Sequence, residues 1–224
     1  MHPELQVDVF FSFRSPYSYL AAPRLADIAK TYNVDIRLRP VLPLIVRSPE
    51  WFVTSNPLLF KYIVATDCPR VAEYLNLPYQ WPDPDPVNVE IDADGVYKAA
   101  KDQPNIYHLV YLGILAEERG QGIPFANEVS RVIWSTDGWD QGNHLAGASR
   151  RAGLDLAEMD AVVLKDEARL RQVADTNLKA LEEAGHWGVP TCVFQGEPFF
   201  GQDRIDLLLW RLKQNGLVEK AKLT

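Results

Sequence analysis

The chain has 224 residues, 47% hydrophobic and 24% charged, the balance of an ordinary soluble globular protein with a large core. Its 23 Lys and Arg against 30 Asp and Glu leave a net charge of −7. That argues against a generic nucleic-acid binder but not against a small anionic ligand held by local arginines. No apolar run approaches the ~20 residues of a membrane span, and Met1–Gln6 lacks the basic region of a secretory signal. Two cysteines, Cys68 and Cys192, make neither a disulfide framework nor a zinc site, and the four histidines lack ligand spacing. The expectation is a protein of a reducing cytoplasm, with no metal, membrane or nucleic-acid partner.

The first forty residues read strand, helix, strand. Val7–Phe13 is apolar and extended, and a helix runs from Tyr17 to Thr31 with Ser15 at its N-cap and Pro16 at N1. The apolar face of this helix is Tyr17, Leu20, Ala21, Leu25, Ile28 and Tyr32. A second strand follows over Asp35–Leu42, so the unit is βαβ with a parallel pair.

The middle, 43–187, reads as mostly helical, broken by the proline-rich run Leu77–Pro86. Pro69 sets the first turn of one helix. Further helices are predicted near 95–102, 105–120, 124–136, 142–152 and 157–184, with Gly120, Gly122, Gly153 and Gly185 as stops. Strand pattern returns at Val189–Phe194, followed by a turn at Gln195–Glu197 and a short strand at Pro198–Phe200. Asp203 is then predicted to cap a last helix with Ile205, Leu208, Leu209 and Leu212 on one face. The order βαβ, helices, ββα is that of an α/β thioredoxin-like fold with a large helical insertion. Residues 1–42 and 188–224 form a discontinuous thioredoxin-like domain, and 43–187 the inserted helical domain.

Three features carry chemistry. Ser15-Pro16-Tyr17-Ser18 sits where a thioredoxin-like protein carries Cys-x-x-Cys. With serine at both ends the chain does not exchange disulfides here. A helix N-terminus of this kind still favours an anion, so it suits a thiolate brought by another molecule. Alone, Ser15 reads first as a helix N-cap, and the thiolate reading rests on the features that follow. The second feature is Gly188-Val189-Pro190-Thr191, where such folds place a cis-proline that turns the Val189 backbone toward the first helix. A trans-proline opening a strand is the alternative. The third is Phe200-Gly201-Gln202-Asp203-Arg204, a helix start suited to a carboxylate, with an acid beside it for an ammonium. Simple capping is again the alternative.

Together with Phe11–Leu20 and Leu38-Arg39-Pro40, these segments resemble the family that joins 2-hydroxychromene-2-carboxylate isomerases and kappa-class glutathione transferases, a DsbA-like thioredoxin fold with a helical insertion. The resemblance implies glutathione as cofactor and Ser15 as the catalytic residue donating to its sulfur. It implies Val189 pairing with the cysteinyl backbone, and Gln202 and Asp203 holding the γ-glutamyl end. Tyr17, Pro190 and Arg204 fall in the same cofactor-binding segments. It also implies a basic residue, Arg47, near an acidic substrate. Asn56 and Lys61 fall by the segment that contacts glutathione or substrate, and Tyr97 is a candidate pocket residue.

The chain departs from the family pattern at Ser12, often Asp, and at Gln202, usually Ser or Asn. The activity expected is a glutathione-dependent cis–trans isomerase acting on a conjugated aromatic carboxylate, as a homodimer. A kappa-like transferase or peroxidase, and a non-catalytic thioredoxin-like binding protein, are the alternatives. Cys68 and Cys192 are expected to be inert, Cys192 as a small hydrophobe in a buried strand.

Overall fold

Residues 5–50, 57–91 and 97–221 are described by a computed structural model of the chain. Strand β1 (Leu5–Phe11) lies inside a four-stranded sheet of order β2-β1-β5-β6. Its Val7, Val9 and Phe11 are buried on one face, while Phe10 packs with Val41 and Leu181 on the other. Burial on both faces accounts for the nearly unbroken apolar run. β2 (Val34–Pro40) is parallel to β1, from Leu5 opposite Val34 to Phe11 opposite Pro40. β5 (Thr191–Phe194) is antiparallel to β1, with Phe10 opposite Thr191, and β6 (Glu197–Phe200) is antiparallel to β5. The two ends of the chain therefore complete one sheet. Its connector helix α1 (Pro16–Thr31) buries Leu20, Ala21, Leu25 and Ile28, the face read from their spacing.

Between β2 and β5 lie α2 (Leu44–Arg47), α3 (Pro57–Tyr62), a π-helical turn (Ile63–Asp67) and α4 (Cys68–Tyr74). A hairpin of β3 (Val89–Ile91) and β4 (Tyr97–Ala99) follows. Then come α5 (Pro104–Glu118), α6 (Gly122–Ile133), α7 (His144–Arg151) and α8 (Leu156–Glu183), the last kinked at Asp166. α5 packs closely on the sheet through Gly113, where a Cβ would stand 2.9 Å from Pro40 Cγ. Trp134, fully buried, stacks on Tyr19 of α1, and its indole N–H donates to Phe13 O at 3.1 Å. One core thus joins the sheet, α1 and the intervening helices.

Three expectations change. The helix expected near 95–102 is not found over its described part, 97–102: 97–99 form β4, pairing Tyr97 with Ile91 and Ala99 with Val89. Two three-residue strands are too short to register as alternation, and Lys98-Ala99-Ala100 looks helical by propensity alone. Gly122 opens α6 instead of ending α5, whereas Gly120, at φ 69°, does occupy the left-handed turn between them. Asp203 does not cap the last helix. A 3-10 turn (Gln202–Arg204) precedes α9 (Ile205–Gln214), and the Asp203 carboxylate pairs instead with Arg204 at 2.5 Å.

Candidate functional site

Ser15 caps α1, with extended backbone and its Oγ accepting from Ser18 N–H at 3.2 Å. The same hydroxyl donates to Val189 O at 3.3 Å. Capping and the long-range contact therefore coexist, because the cap uses a lone pair and the contact uses the proton. The Val189-Pro190 peptide is cis, which aims the Val189 carbonyl at the helix. The loop is braced by Thr191 Oγ1 donating to Gly188 O (2.8 Å) and Gly201 N–H donating to Pro190 O (2.9 Å). That second bond brings Gln202 and Asp203 beside the cis-proline. Gly201 has φ 105°, and a Cβ there would lie 2.6 Å from Asp203 Oδ1, so only glycine suits this turn.

Of the residues predicted from separate segments, Ser15 meets Val189 directly at the α1 N-terminus and Pro190 is tied to Gly201. Gln202 is held by Arg24, nine residues beyond Ser15 on α1, and Asp203 and Arg204 pair with each other on the same turn. Tyr17 faces the other way. Its hydroxyl donates to Asp67 Oδ2 at 2.7 Å, and burial together with that carboxylate raises its pKa well above the ordinary phenol value. Burial of Asp67 works against ionisation, but hydrogen bonds from Tyr17, Arg70 and Tyr62 prevail and hold its pKa below the usual range. The π-helical turn is thereby tied to the first turn of α1; such turns recur at functional sites.

On the expected substrate side, Arg47 is held by two backbone carbonyls. Its Nε donates to Leu42 O at 2.9 Å and its Nη2 to Trp187 O, two residues before Val189. Burial lowers its pKa, with Glu182 opposing. Lys61 is exposed on α3, beside Leu58, Leu59, Phe60 and Tyr62, which also reach solvent. Phe60 meets Trp81 edge-on at 5.9 Å. Tyr97 is half-buried against Arg14 and Asp85, its pKa raised chiefly by burial. Asn56 lies outside the described residues.

The residue before Ser15 was missed in the sequence. Arg14 is only 6% exposed and makes a bidentate pair with Asp85, at 2.8 and 2.7 Å, with its guanidinium over the Trp81 ring. The proline-rich run is thus clamped to the α1 turn through a partner 71 residues away. A basic residue in the middle of the motif was the available signal. Cys68 and Cys192 are buried, and burial pushes both thiols up to about 12, so neither supplies a thiolate.

The model for a DSBA-like thioredoxin domain matches residues 6–213. The chain belongs to the DsbA-like thioredoxin family. Within this family its similar relatives include 2-hydroxychromene-2-carboxylate isomerases. One from Pseudomonas sp. (strain C18) is 27% identical over 207 residues, 90% of this chain and 87% of the relative. Another, from Pseudomonas putida, is 26% identical over 206 residues, 90% and 91% of the two chains. A solved 2-hydroxychromene-2-carboxylate isomerase superposes with a TM-score of 0.68 at 21% identity, covering 94% of this chain and 95% of that one. The cytosolic disulfide reductase DsbM from Pseudomonas aeruginosa, solved with GSH, gives 0.56 at 17% identity, covering 93% and 100%. These structural likenesses establish the DsbA-like fold. Among the described residues, no helix is long and apolar enough to cross a membrane.

Proposed function

We propose that this DsbA-like protein is a glutathione-dependent isomerase of the 2-hydroxychromene-2-carboxylate type. The observation that carries the reading is the Ser15 hydroxyl, with its lone pair on Ser18 N–H and its proton on the Val189 carbonyl. A thiolate at the α1 N-terminus takes that proton as a hydrogen bond in place of Val189. The released Val189 carbonyl then accepts the cysteinyl N–H of glutathione, in the manner of an added strand. Gln202 and Asp203 receive the carboxylate and ammonium of the γ-glutamyl end, with Pro190 and Arg204 around them, while Tyr17, turned to Asp67, braces the first turn of α1. The isomerase relatives support this reaction class, and the DsbM structure solved with GSH supports the ligand class for the fold.

In the proposed reaction the thiolate sulfur adds to an electron-poor carbon of a conjugated aromatic carboxylate. A C–S bond forms and the π pair moves to the carbonyl oxygen. The former double bond rotates, the pair returns, the C–S bond breaks, and glutathione leaves unchanged. Arg47, fixed beside the cis-proline loop by Leu42 O and Trp187 O, is the guanidinium proposed to meet the substrate carboxylate. Lys61 and Tyr97, from the inserted helical domain 43–187, are the residues proposed for the acceptor side. The reading carries with it a reducing cytoplasm and a homodimer.

The test is turnover of a conjugated aromatic pyruvate with sub-stoichiometric glutathione. Isomerisation without loss of glutathione supports the proposal. Loss of one glutathione per turnover supports the transferase alternative, and turnover independent of glutathione overturns both.

A further inference from the structure

Gln202 stands in the proposed glutamyl clamp, and an amide side chain is ambiguous there. Its oxygen repels an incoming carboxylate, whereas its NH2 group donates to one. Which end faces outward is settled by a residue from another element. Arg24, half-buried on α1 about two and a half turns beyond Ser15, donates from Nη2 to both the Gln202 backbone carbonyl and its Oε1, the latter at 2.6 Å. A guanidinium has no acceptor, so the amide oxygen is the end held on Arg24 and the NH2 group is the end left to donate elsewhere.

Three further observations fit a fixed placement of Arg24. Its Nε is buried and has no hydrogen-bond partner among the described residues, so the guanidinium keeps this position at the expense of one donor. The carboxylates of Asp203 and Asp206 act on it through space and favour its charged form against the effect of burial. The turn it grips begins at Gly201, whose φ of 105° and lack of room for a Cβ fix the backbone course there.

We propose that Arg24 is a positioning residue, resting on the glutathione reading above: it locks Gln202 as a donor and thereby makes the site selective for the α-carboxylate of the glutamyl end. Arg24 touches no reacting atom. Its effect appears as discrimination between glutathione and the otherwise identical tripeptide whose glutamyl α-carboxylate is replaced by hydrogen.

The experiment is calorimetric titration of both ligands into the wild-type protein, Arg24→Met, Arg24→Lys and Gln202→Glu at neutral pH. The wild type is expected to prefer glutathione by about tenfold or more, the worth of one hydrogen bond to a charged group. Arg24→Met weakens glutathione by about tenfold and leaves the analogue unchanged, so the preference collapses. Arg24→Lys recovers part of it. Gln202→Glu keeps an acceptor for Arg24 but offers no donor outward, and collapses the preference with the Arg24 contact intact. Equal weakening of both ligands in Arg24→Met, or retained preference in Gln202→Glu, overturns the proposal. Absence of glutathione binding to the wild type overturns the underlying reading instead, and is told apart because it appears before any variant is made.

Discussion

Ser15 and Val189 are 174 residues apart in the chain and meet through one hydrogen bond, from the serine hydroxyl to the carbonyl of a cis peptide. The bond closes the sheet ends around the N-terminus of α1 and leaves a donor, a carbonyl and the positive end of a helix at one point. In the proposed function, a thiolate placed there is stabilised by geometry that the protein maintains without it.

That stabilisation is testable without glutathione. Ser15→Cys puts a thiol at the helix N-cap, and its pKa should fall at least one unit below the ~8.5 of a free cysteine. It should therefore alkylate at neutral pH far faster than Cys68 or Cys192, whose buried thiols are pushed up to about 12. Labelling followed by peptide mapping reads the ratio directly. Equal labelling of all three positions would contradict a thiolate-stabilising helix end.

The buried Arg14–Asp85 pair should matter more for stability than a surface ion pair. Asp85→Ala strands a guanidinium that is 6% exposed and is expected to cost about 3 kcal/mol in denaturant unfolding. Arg14→Met/Asp85→Leu together should cost clearly less than Asp85→Ala alone, because no charge is left unpaired. Additive losses would mean that the pair is effectively solvated.

Much of this architecture was legible because its signals are local. The cap at Ser15, the Val-Pro step and the alternation in β2 are each short motifs whose physics is complete within a few residues. Ionic and hydrogen-bonded pairs were not legible in the same way. Asp85 gives no sign of Arg14 across 71 residues, nor Gln202 of Arg24 across 178. Asp203 looked like a cap because an acid before an apolar helix usually is one; the intervening 3-10 turn turned it toward Arg204 instead. The β3–β4 hairpin escaped notice because each strand has three residues and pairing, not pattern, defines it.

His186 should make stability fall on mild acidification. It stacks on Phe200 at 4.0 Å, and its Nδ1 accepts from Gly188 N–H at 2.9 Å. Burial lowers its pKa in the folded state. The unfolded chain therefore takes up its proton first: the His186 contribution is fully present above the ordinary value of ~6.5 and is lost as pH falls toward the depressed folded value. Thermal midpoints between pH 7.5 and 5.5 should decline less in His186→Phe than in the wild type, over about this interval. Identical slopes would show that the ring titrates freely.

Gly122 should not tolerate a side chain. A Cβ there would lie 2.0 Å from Glu117 Oε2 and 2.8 Å from Leu38 Cβ. Glu117 is committed, since its Oε2 accepts from Leu38 N–H at 2.9 Å and couples α5 to β2. Gly122→Ala is expected to lower stability by about 1–3 kcal/mol in urea unfolding, as overpacking does. A neutral substitution would mean that Glu117 gives way without loss.

The most direct measurement of the central claim is the pKa of the glutathione thiol in the complex, followed by the ultraviolet absorbance of the thiolate across a pH titration. In the wild type it should lie at least one unit below the ~8.5 of a free thiol, each unit being about 1.4 kcal/mol in favour of the thiolate. In Ser15→Ala it should return most of the way toward the free value, with binding weakened. A bound thiol that titrates alike in both proteins would contradict the account.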